Sequence, residues 1–254
     1  MNTESNIDIQ TLALVFAKSL FIGARLNPIS MQSLGLAASI QPALKKLVPD
    51  AQKRCDILYE HLDNFNCHPY FSTALAGVIC NWEQRKLAGE MGSERIKRLK
   101  KGFASSLAAI GDMFFWGALK PFSVLIAVAF LFSPYPHIAP IALLLVYNIP
   151  HLYLRIRAFS EGAREDERLL KFISRFKLPA MSIHLKRVSL FILGFILGLS
   201  IARPMESLYA PDFFLVLAAL LAVIPVFIRR GGNSQAIPLF LLLCLVLALF
   251  YERF

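Results

Sequence analysis

Long apolar runs in the second half of the chain limit the folds that are open to it. Residues 188–202 and 236–251 are almost free of charged side chains. A helix that spans a membrane needs roughly 20 mostly apolar residues, with about 17 as the lower limit, so each run reaches this length only together with its flanks. We therefore expect an integral membrane protein whose spanning helices are short or tilted.

The composition of the whole chain agrees with this expectation. Of 254 residues, 56% are hydrophobic and 17% are charged, whereas an average soluble domain is roughly 45–50% apolar. A net charge of +10 in a soluble protein would suggest a nucleic-acid partner. The interleaved aromatic and basic residues of RNA-binding modules are missing, so we expect no nucleic-acid partner.

Two basic clusters predict the orientation in the bilayer. Lys and Arg residues concentrate in residues 85–101 and 155–187, and such clusters mark the cytoplasmic side. The first ten residues contain acids but no Lys or Arg, unlike a secretory signal, so we expect a cytoplasmic N-terminus. The crossings that satisfy these constraints are 122–132, 138–154, 188–202, 212–228 and 236–251. This order places the C-terminus outside the cytoplasm.

These patterns predict an all-α membrane protein with amphipathic or interfacial N-terminal helices, a re-entrant hairpin and about five short transmembrane helices. Residues 11–49 carry charges and prolines too often for a lipid-facing span. Residues 102–121 are small and apolar, which suggests the re-entrant segment.

We predict one domain over residues 1–254. Its sections are an amphipathic half (1–101), a helical hairpin region (102–154), a basic cytoplasmic linker (155–187) and C-terminal spans (188–254).

Asp112 is the only carboxylate in residues 102–121. An ionisable group in an apolar membrane segment costs several kcal/mol unless a partner or a cavity compensates, so Asp112 is a functional candidate. Gly111 before it and an aromatic block after it suggest a break in the backbone. The alternative is a structural role, in which Asp112 caps a broken helix or pairs with Lys120.

A second polar cluster lies in residues 61–71, which include Pro69, a residue suited to the first turn of a helix. It places Asp63, Asn64, Asn66 and His68 ahead of the helix that Pro69 would start. Carboxylates and amides supply the paired donors and acceptors that sugar hydroxyls need. The alternative is a solvated loop in which Asn66 caps the helix.

Glu83 lies at the far end of the helix predicted after Pro69. In an unbroken helix, Asn66 and Glu83 would be roughly 25 Å apart, too far to touch one small sugar. Either Gly77 breaks this helix, or Glu83 has another task, such as neutralising the neighbouring basic cluster.

The usual signatures of catalysis are absent from the sequence, including nucleophile elbows, phosphate loops and zinc helices. A metal site built from Glu60, His61, Cys67 and His68 would lack a second ligand pair. We expect no metal, no cofactor and no catalysis by this chain alone. A stand-alone membrane enzyme using Asp112 with His68 is a minor alternative.

Three ordered motifs resemble the IID component of mannose/fructose/sorbose phosphotransferase permeases. They lie in residues 31–49, in 61–71 with 76–89, and in 107–121. The matching residues are Asn27, Met31, Gln32, Gly35, His61, Leu62, Phe65, Asn66, Pro69, Gly111, Asp112, Phe115, Trp116 and Pro121. The chain departs from the family pattern at Ile29, Ser30, Ser105, Ser106 and Met113.

The resemblance implies a subunit of a multi-subunit permease in the bacterial inner membrane. With a IIC subunit it would form the path for a hexose of the mannose/fructose/sorbose class, which IIB phosphorylates during import. Phosphate would travel over IIA and IIB, and residues 85–101 would dock IIB, so no histidine of this chain is expected to be phosphorylated. The predicted substrate-binding residues are Asn27, Asn64, Asn66, His68, Glu83 and Asp112. The departures from the pattern keep open a non-transporting scaffold or receptor.

Overall fold

The structure is a computed structural model that describes residues 7–202. The chain divides into two compact units, Met1–Leu197 and Gly198–Phe254. Most of the second unit lies outside the described residues, as do the spans predicted at 212–228 and 236–251 and the placement of the C-terminus. The single domain and the C-terminal spans stay predictions.

Regular structure in residues 7–202 is entirely helical, which confirms the predicted all-α class. The α-helices are α1 Ile9–Ser19, α2 Ser33–Leu47, α3 Ala51–Glu60, α4 Pro69–Leu87, α5 Ser93–Gly111, α6 Lys120–Leu131, α7 Ala139–Arg164, α8 Asp166–Phe176 and α9 Leu178–Ala202. Two short 3₁₀ helices, Ile22–Arg25 and Pro136–Ile138, lie in connections, and a π-helix, Asp112–Leu119, joins α5 to α6.

Helix starts follow local chemistry that the sequence contains. Asp8 caps α1 by accepting a hydrogen bond from the Thr11 amide at 2.9 Å. Asp50 caps α3 in the same way, through the Lys53 amide at 2.8 Å. Pro69 is the first residue of α4, as predicted.

Helix α4 forms the centre of the fold, and α1, α2, α5 and α7 all pack against it. Its approach to α7 is close because glycines face the other backbone on both sides. A Cβ added to Gly162 would lie 2.8 Å from the Ala74 carbonyl oxygen, and one on Gly77 would lie 3.0 Å from the Phe159 carbonyl oxygen. Gly77 therefore serves packing, and α4 runs through it without a break.

Two helical segments in residues 7–202 are long and apolar enough to cross a membrane: Ser93–Leu131 and Pro136–Arg164. The first contains residues 102–121 and continues from α5 through the π-helix into α6. The break expected at Gly111 is thus a change of helix type within one continuous segment. The re-entrant hairpin and the count of about five spans are not confirmed.

Candidate functional site

Two loops that are distant in sequence pair beside the start of α4. The Gln32 amide N–H donates to the Phe65 carbonyl at 2.8 Å, and the Phe65 amide N–H donates to the Ser30 carbonyl at 3.3 Å. The Gln32 side-chain amide donates to the Cys67 carbonyl at 2.9 Å. These bonds bring the first two sequence motifs together.

Asn27 shapes the first of these loops. Its side-chain oxygen accepts hydrogen bonds from the amides of Ile29 at 3.0 Å and Ser30 at 2.8 Å. Its Nδ2 donates to the Ser30 Oγ at 2.9 Å. This is an Asx turn, in which a side chain closes the loop in place of backbone. The Asn27 side chain is therefore engaged within the turn, next to the left-handed backbone of Met31 at φ 56°.

His68 lies at the junction of the paired loops with α4. Its Nδ1 accepts a hydrogen bond from the Tyr70 amide at 3.2 Å, so His68 is the residue whose side chain caps α4. The side chain is 1% exposed, and its Nε2 has no hydrogen-bond partner in residues 7–202. Burial, with the nearby His151 and Arg155, lowers the pKa of His68 to about 4, so the ring is neutral at physiological pH.

The third motif packs directly against His68. The Phe115 ring stacks on the imidazole with 5.0 Å between centroids, and the Trp116 ring lies at 4.8 Å. A Cβ added to Gly111 would overlap the His68 side chain, so only glycine allows α5 to come this close. All three motifs therefore meet around one buried histidine.

A cavity of about 610 Å³ opens beside this junction, between the loop after α3 and helix α5. Its lining residues are Asp63, Asn64, Phe65, Asn66, Lys97, Lys100, Lys101, Ala104, Ser105 and Ala108. The volume lies within the range of roughly 300–1,000 Å³ usual for small-molecule sites. Two of the predicted substrate-binding residues, Asn64 and Asn66, therefore share one cavity.

Asp63 forms the main ion pair of the cavity wall, with its carboxylate 2.8 Å from the Lys97 Nζ. The hydrogen bond from Lys97 lowers the pKa of the Asp63 carboxyl below its ordinary value, although slight burial acts in the opposite direction. Asp63 is therefore charged at neutral pH and compensates one of the three lysines.

Asp112 is exposed at the start of the π-helix. It follows Ala108, a cavity residue, by one helical turn, so it extends the same helix face beyond the cavity. Burial raises the pKa of the Cys67 thiol above its usual range, and the nearby charge of Asp112 adds to this effect. Asp112 therefore lies close to the loop that carries Asn66, and within residues 7–202 it makes no ion pair with Lys120.

Glu83 belongs to a different polar group at the other end of α4. It is fully buried, with one oxygen 3.1 Å from the His61 Nε2 and the other 3.4 Å from the Lys86 Nζ. Lys86 also contacts Glu60 at 2.7 Å. Because α4 is unbroken, about 20 Å of helix separates Pro69 from Glu83. The structure therefore does not bring Glu83 to the cavity of Asn64 and Asn66.

A further polar group, which the sequence analysis missed, lies where α7 packs on the start of α4. The His151 ring stacks on the Tyr70 ring with 3.8 Å between centroids. The Tyr70 and Tyr147 hydroxyl groups are 2.9 Å apart, and the Arg155 guanidinium lies 5.4 Å from the Tyr70 centroid. Residues 147, 151 and 155 recur every four positions in an apolar helix, a spacing that could have identified this group from sequence.

No group of three or more His, Cys, Asp or Glu side chains in residues 7–202 is arranged to hold a metal ion. Two of the residues considered for such a site have other contacts: His61 binds Glu83 and Glu60 binds Lys86.

Comparison with known proteins identifies similar chains. A family model described as the "PTS system mannose/fructose/sorbose family IID component" matches residues 6–206. The mannose-specific IID component of Escherichia coli K12 is 25% identical over 194 residues, which cover 76% of this chain and 68% of that protein. The fructose permease IID component of Bacillus subtilis 168 is 25% identical over 197 residues, covering 76% and 70%.

Two solved structures share the fold. A cryo-EM structure of the mannose transporter ManYZ in complex with microcin E492 aligns with a TM-score of 0.59 at 20% identity, covering 95% of this chain and 96% of the other. A structure described as that of a membrane protein aligns with a TM-score of 0.72 at 19% identity, covering 97% and 98%.

Proposed function

Because this chain belongs to the IID components of the mannose/fructose/sorbose phosphotransferase family, we propose that it is the IID subunit of a sugar-translocating permease in the bacterial inner membrane. Together with a IIC subunit it forms the path for a hexose of the mannose/fructose/sorbose class. IIB phosphorylates the sugar at the cytoplasmic end of this path, and IIA supplies IIB with phosphate. This chain binds and positions the sugar and carries no phosphoryl group itself.

The convergence of three distant motifs around His68 is the observation that carries this proposal. Hydrogen bonds between the loops and stacking on His68 hold Asn66 and Asp112 on neighbouring surfaces. Asn64 and Asn66 face the cavity with amide groups, each of which both donates and accepts hydrogen bonds. Sugar hydroxyls need such paired contacts, so the cavity supports a sugar-binding role for these residues.

The remaining predicted site residues have different parts in this proposal. Asn27 holds the first loop and His68 holds the start of α4, since the hydrogen bonds of their side chains are made to this chain itself. Glu83 stabilises the far end of α4 through His61 and Lys86. We therefore assign direct sugar contact to Asn64, Asn66 and Asp112, and positioning to Asn27 and His68.

Asp112 faces the IIC subunit in this assignment. It is exposed on a segment apolar enough to cross a membrane, and within residues 7–202 its carboxylate forms no hydrogen bond or ion pair. A carboxylate is costly against lipid, so such a residue faces a water-filled path or a polar partner. A sugar path shared with IIC provides both.

The basic surface around the start of α5 supports docking of IIB. Arg95, Lys97, Arg98 and Lys101 are exposed there. Clusters of Lys and Arg mark the cytoplasmic side of a membrane protein, where IIB is located. This placement puts the cavity near the cytoplasmic end of the proposed path.

A non-transporting scaffold or receptor with the same fold is the second candidate. It is favoured by Ser105, which departs from the family pattern and lines the cavity. A changed lining residue would alter a sugar site without disturbing assembly with IIC.

Replacing Asp112 with Asn tests the transport proposal. Co-expressed with its IIC and IIB partners, Asp112→Asn should assemble normally but lower phosphoenolpyruvate-dependent sugar uptake at least about tenfold, equivalent to about 1.4 kcal/mol. Glu167→Gln, an exposed carboxylate on α8, is the control and should transport like wild type. Wild-type uptake by Asp112→Asn would contradict the assignment, and absence of uptake by an assembled wild-type complex would favour the scaffold.

A further inference from the structure

Lys100 lies buried in the wall of the cavity beside α5. Its side chain is 3% exposed, and its Nζ makes no hydrogen bond within residues 7–202. A buried ammonium is unfavourable unless an anion or several acceptors surround it. The carboxylates of Asp63, Glu83 and Glu60 act on Lys100 at a distance, but within residues 7–202 none of them forms a hydrogen bond or an ion pair with its Nζ. The ammonium group is therefore open to direct contact with an anionic ligand.

The cavity that Lys100 lines has an excess of positive charge. Lys97, Lys100 and Lys101 face it, against one carboxylate, Asp63. Because Asp63 is already paired with Lys97 at 2.8 Å, Lys100 and Lys101 carry charge that the lining does not neutralise. Lys101 forms no ion pair in the part of the chain that the structure describes, and it is exposed. The cavity thus combines a buried and an accessible ammonium group.

We propose that this cavity is a phosphate subsite, in which Lys100 and Lys101 bind the phosphoryl group of a phosphorylated hexose while Asn64 and Asn66 contact its hydroxyls. The inference rests on the proposed function, because import coupled to phosphorylation generates a sugar phosphate. A phosphate monoester carries about −1.5 to −2 charge at pH 7, which matches the two uncompensated lysines. Lys is a common ligand for phosphate as a compact point charge.

A phosphate ester explains the cavity better than the two other candidate ligands. A neutral sugar would leave the ammonium of Lys100 uncompensated. A lipid headgroup would have to reach the polar first half of α5, where Lys97 and Lys101 interrupt the apolar surface. The mixture of amides and ammonium groups fits a ligand that carries hydroxyls and a phosphate together.

The test measures binding to the full-length chain, assembled with its IIC partner in phosphatidylcholine nanodiscs. Calorimetric titrations compare mannose, mannose 6-phosphate and inorganic phosphate. Inorganic phosphate is included because it carries the group that Lys100 would bind regardless of the sugar. We expect at least one of the two phosphate probes to bind, and Lys100→Met to weaken that binding roughly 10- to 100-fold, as for loss of one charge-assisted hydrogen bond.

Lys101→Met provides a second variant that is independent of folding, because Lys101 is exposed. Lys53→Met, an exposed lysine on α3 outside the cavity, is the matched control and should bind phosphate like wild type. Failure of both phosphate probes to bind wild type overturns the subsite. Binding that is unchanged in both Lys100→Met and Lys101→Met also overturns it.

Repeating the titration with phosphatidylglycerol in the nanodiscs separates the sources of phosphate. Loss of binding in those discs alone would show that a lipid headgroup occupies the cavity, which contradicts the proposal. A complex that takes up sugar but binds neither phosphate probe refutes the subsite and leaves the transport function intact. A complex that binds them through Lys100 but takes up no sugar refutes transport alone.

Discussion

Glu83 and Asp112 are both carboxylates in long helices, but the structure surrounds them differently. Glu83 is fully buried on α4, and its two oxygens face His61 and Lys86. Asp112 is exposed on a segment long and apolar enough to cross a membrane, and within residues 7–202 its carboxylate has no hydrogen bond or ion pair. The Glu83 carboxylate has charged or polar partners in its own chain, whereas the Asp112 carboxylate has none within residues 7–202.

The different surroundings of Glu83 and Asp112 indicate different roles, one in the stability of this subunit and one in contacts with other molecules. A buried carboxylate is tolerated when its partners are fixed by the same fold, so it belongs to the folded core. A carboxylate left open on an apolar surface is tolerated when water, ligand or another subunit meets it. Glu83, with its partners His61 and Lys86, should therefore control stability. The exposed helix surface around Asp112 (the Asp112 surface) should control transport.

The largest effect is expected from removing the buried carboxylate. Glu83→Ala leaves Lys86 and His61 without their acceptor and should destabilise the chain by about 3–5 kcal/mol, measured by thermal unfolding in detergent. Glu83→Gln keeps an acceptor for His61 and should lose less. Glu90→Ala removes a carboxylate that is 59% exposed and paired with Arg85, so a loss below about 1 kcal/mol is expected. Equal losses in Glu83→Ala and Glu90→Ala would remove the basis of the comparison.

Low pH should destabilise the chain through His68, which lies where the paired loops meet the start of α4. The pKa of His68 is lowered from 6.5 to about 4, so between these values the unfolded chain binds more protons than the folded one. The contribution of neutral His68 to the free energy of unfolding is therefore complete above pH 6.5. Roughly 3 kcal/mol of it is lost as the pH falls toward 4. Denaturant unfolding between pH 7.5 and 4.5 measures this loss. His68→Gln should flatten the dependence, and an unchanged slope would contradict the assignment to His68.

Gly111 tests the packing that brings the Asp112 surface against the core. Gly111→Ala places a methyl group on the His68 side chain and should cost about 1–3 kcal/mol of stability through overpacking. Gly102→Ala lies in the same helix with nothing within 4 Å of the added Cβ. That control should keep or raise stability, by about 0.5–1 kcal/mol at most. If both variants unfold alike, the contact with His68 is not the cause.

Loss of the Asp112 charge should leave the isolated subunit almost as stable as wild type. Asp112→Asn should change the stability of the isolated subunit by less than about 0.5 kcal/mol, because no contact of the described fold is lost. The same thermal unfolding assay applies, with Glu83→Ala as the reference. A destabilisation approaching that of Glu83→Ala would show that Asp112 has a partner within the chain.

Local features of the fold were predictable from the sequence. Pro69 indicated the start of α4, and Asp112 stood out because a charge is rare in an apolar stretch. The prediction at Pro69 depends only on neighbouring residues, and the one at Asp112 depends only on the cost of placing a charge in an apolar segment. Asn64 and Asn66 also belong to a polar cluster in the sequence, and the structure places both on one cavity.

Contacts between distant segments were not predictable in the same way. The Gln32 side chain bonds to the Cys67 carbonyl across 35 positions, and helical periodicity carries no information about such loop pairing. The rise of an α-helix predicts how far Glu83 lies from Asn66. It does not predict that His61, in the loop before α4, lies with its Nε2 3.1 Å from the Glu83 carboxylate. From sequence, Arg155 indicates only the cytoplasmic side of the membrane, whereas in the structure it lies over the Tyr70 ring.

The π-helix between Asp112 and Leu119 has a consequence for residues on either side of it. A π-helical turn contains more residues than an α-helical turn, so a helical wheel that is correct for α5 assigns α6 residues to the wrong faces. Lys101 and Ser105 can therefore point into a cavity while the side chains of α6 follow a different angular register. Deleting one residue within 112–119 would rotate α6 about its axis relative to α5 without changing the residues of either helix. The side chains of α6 would then face different neighbours.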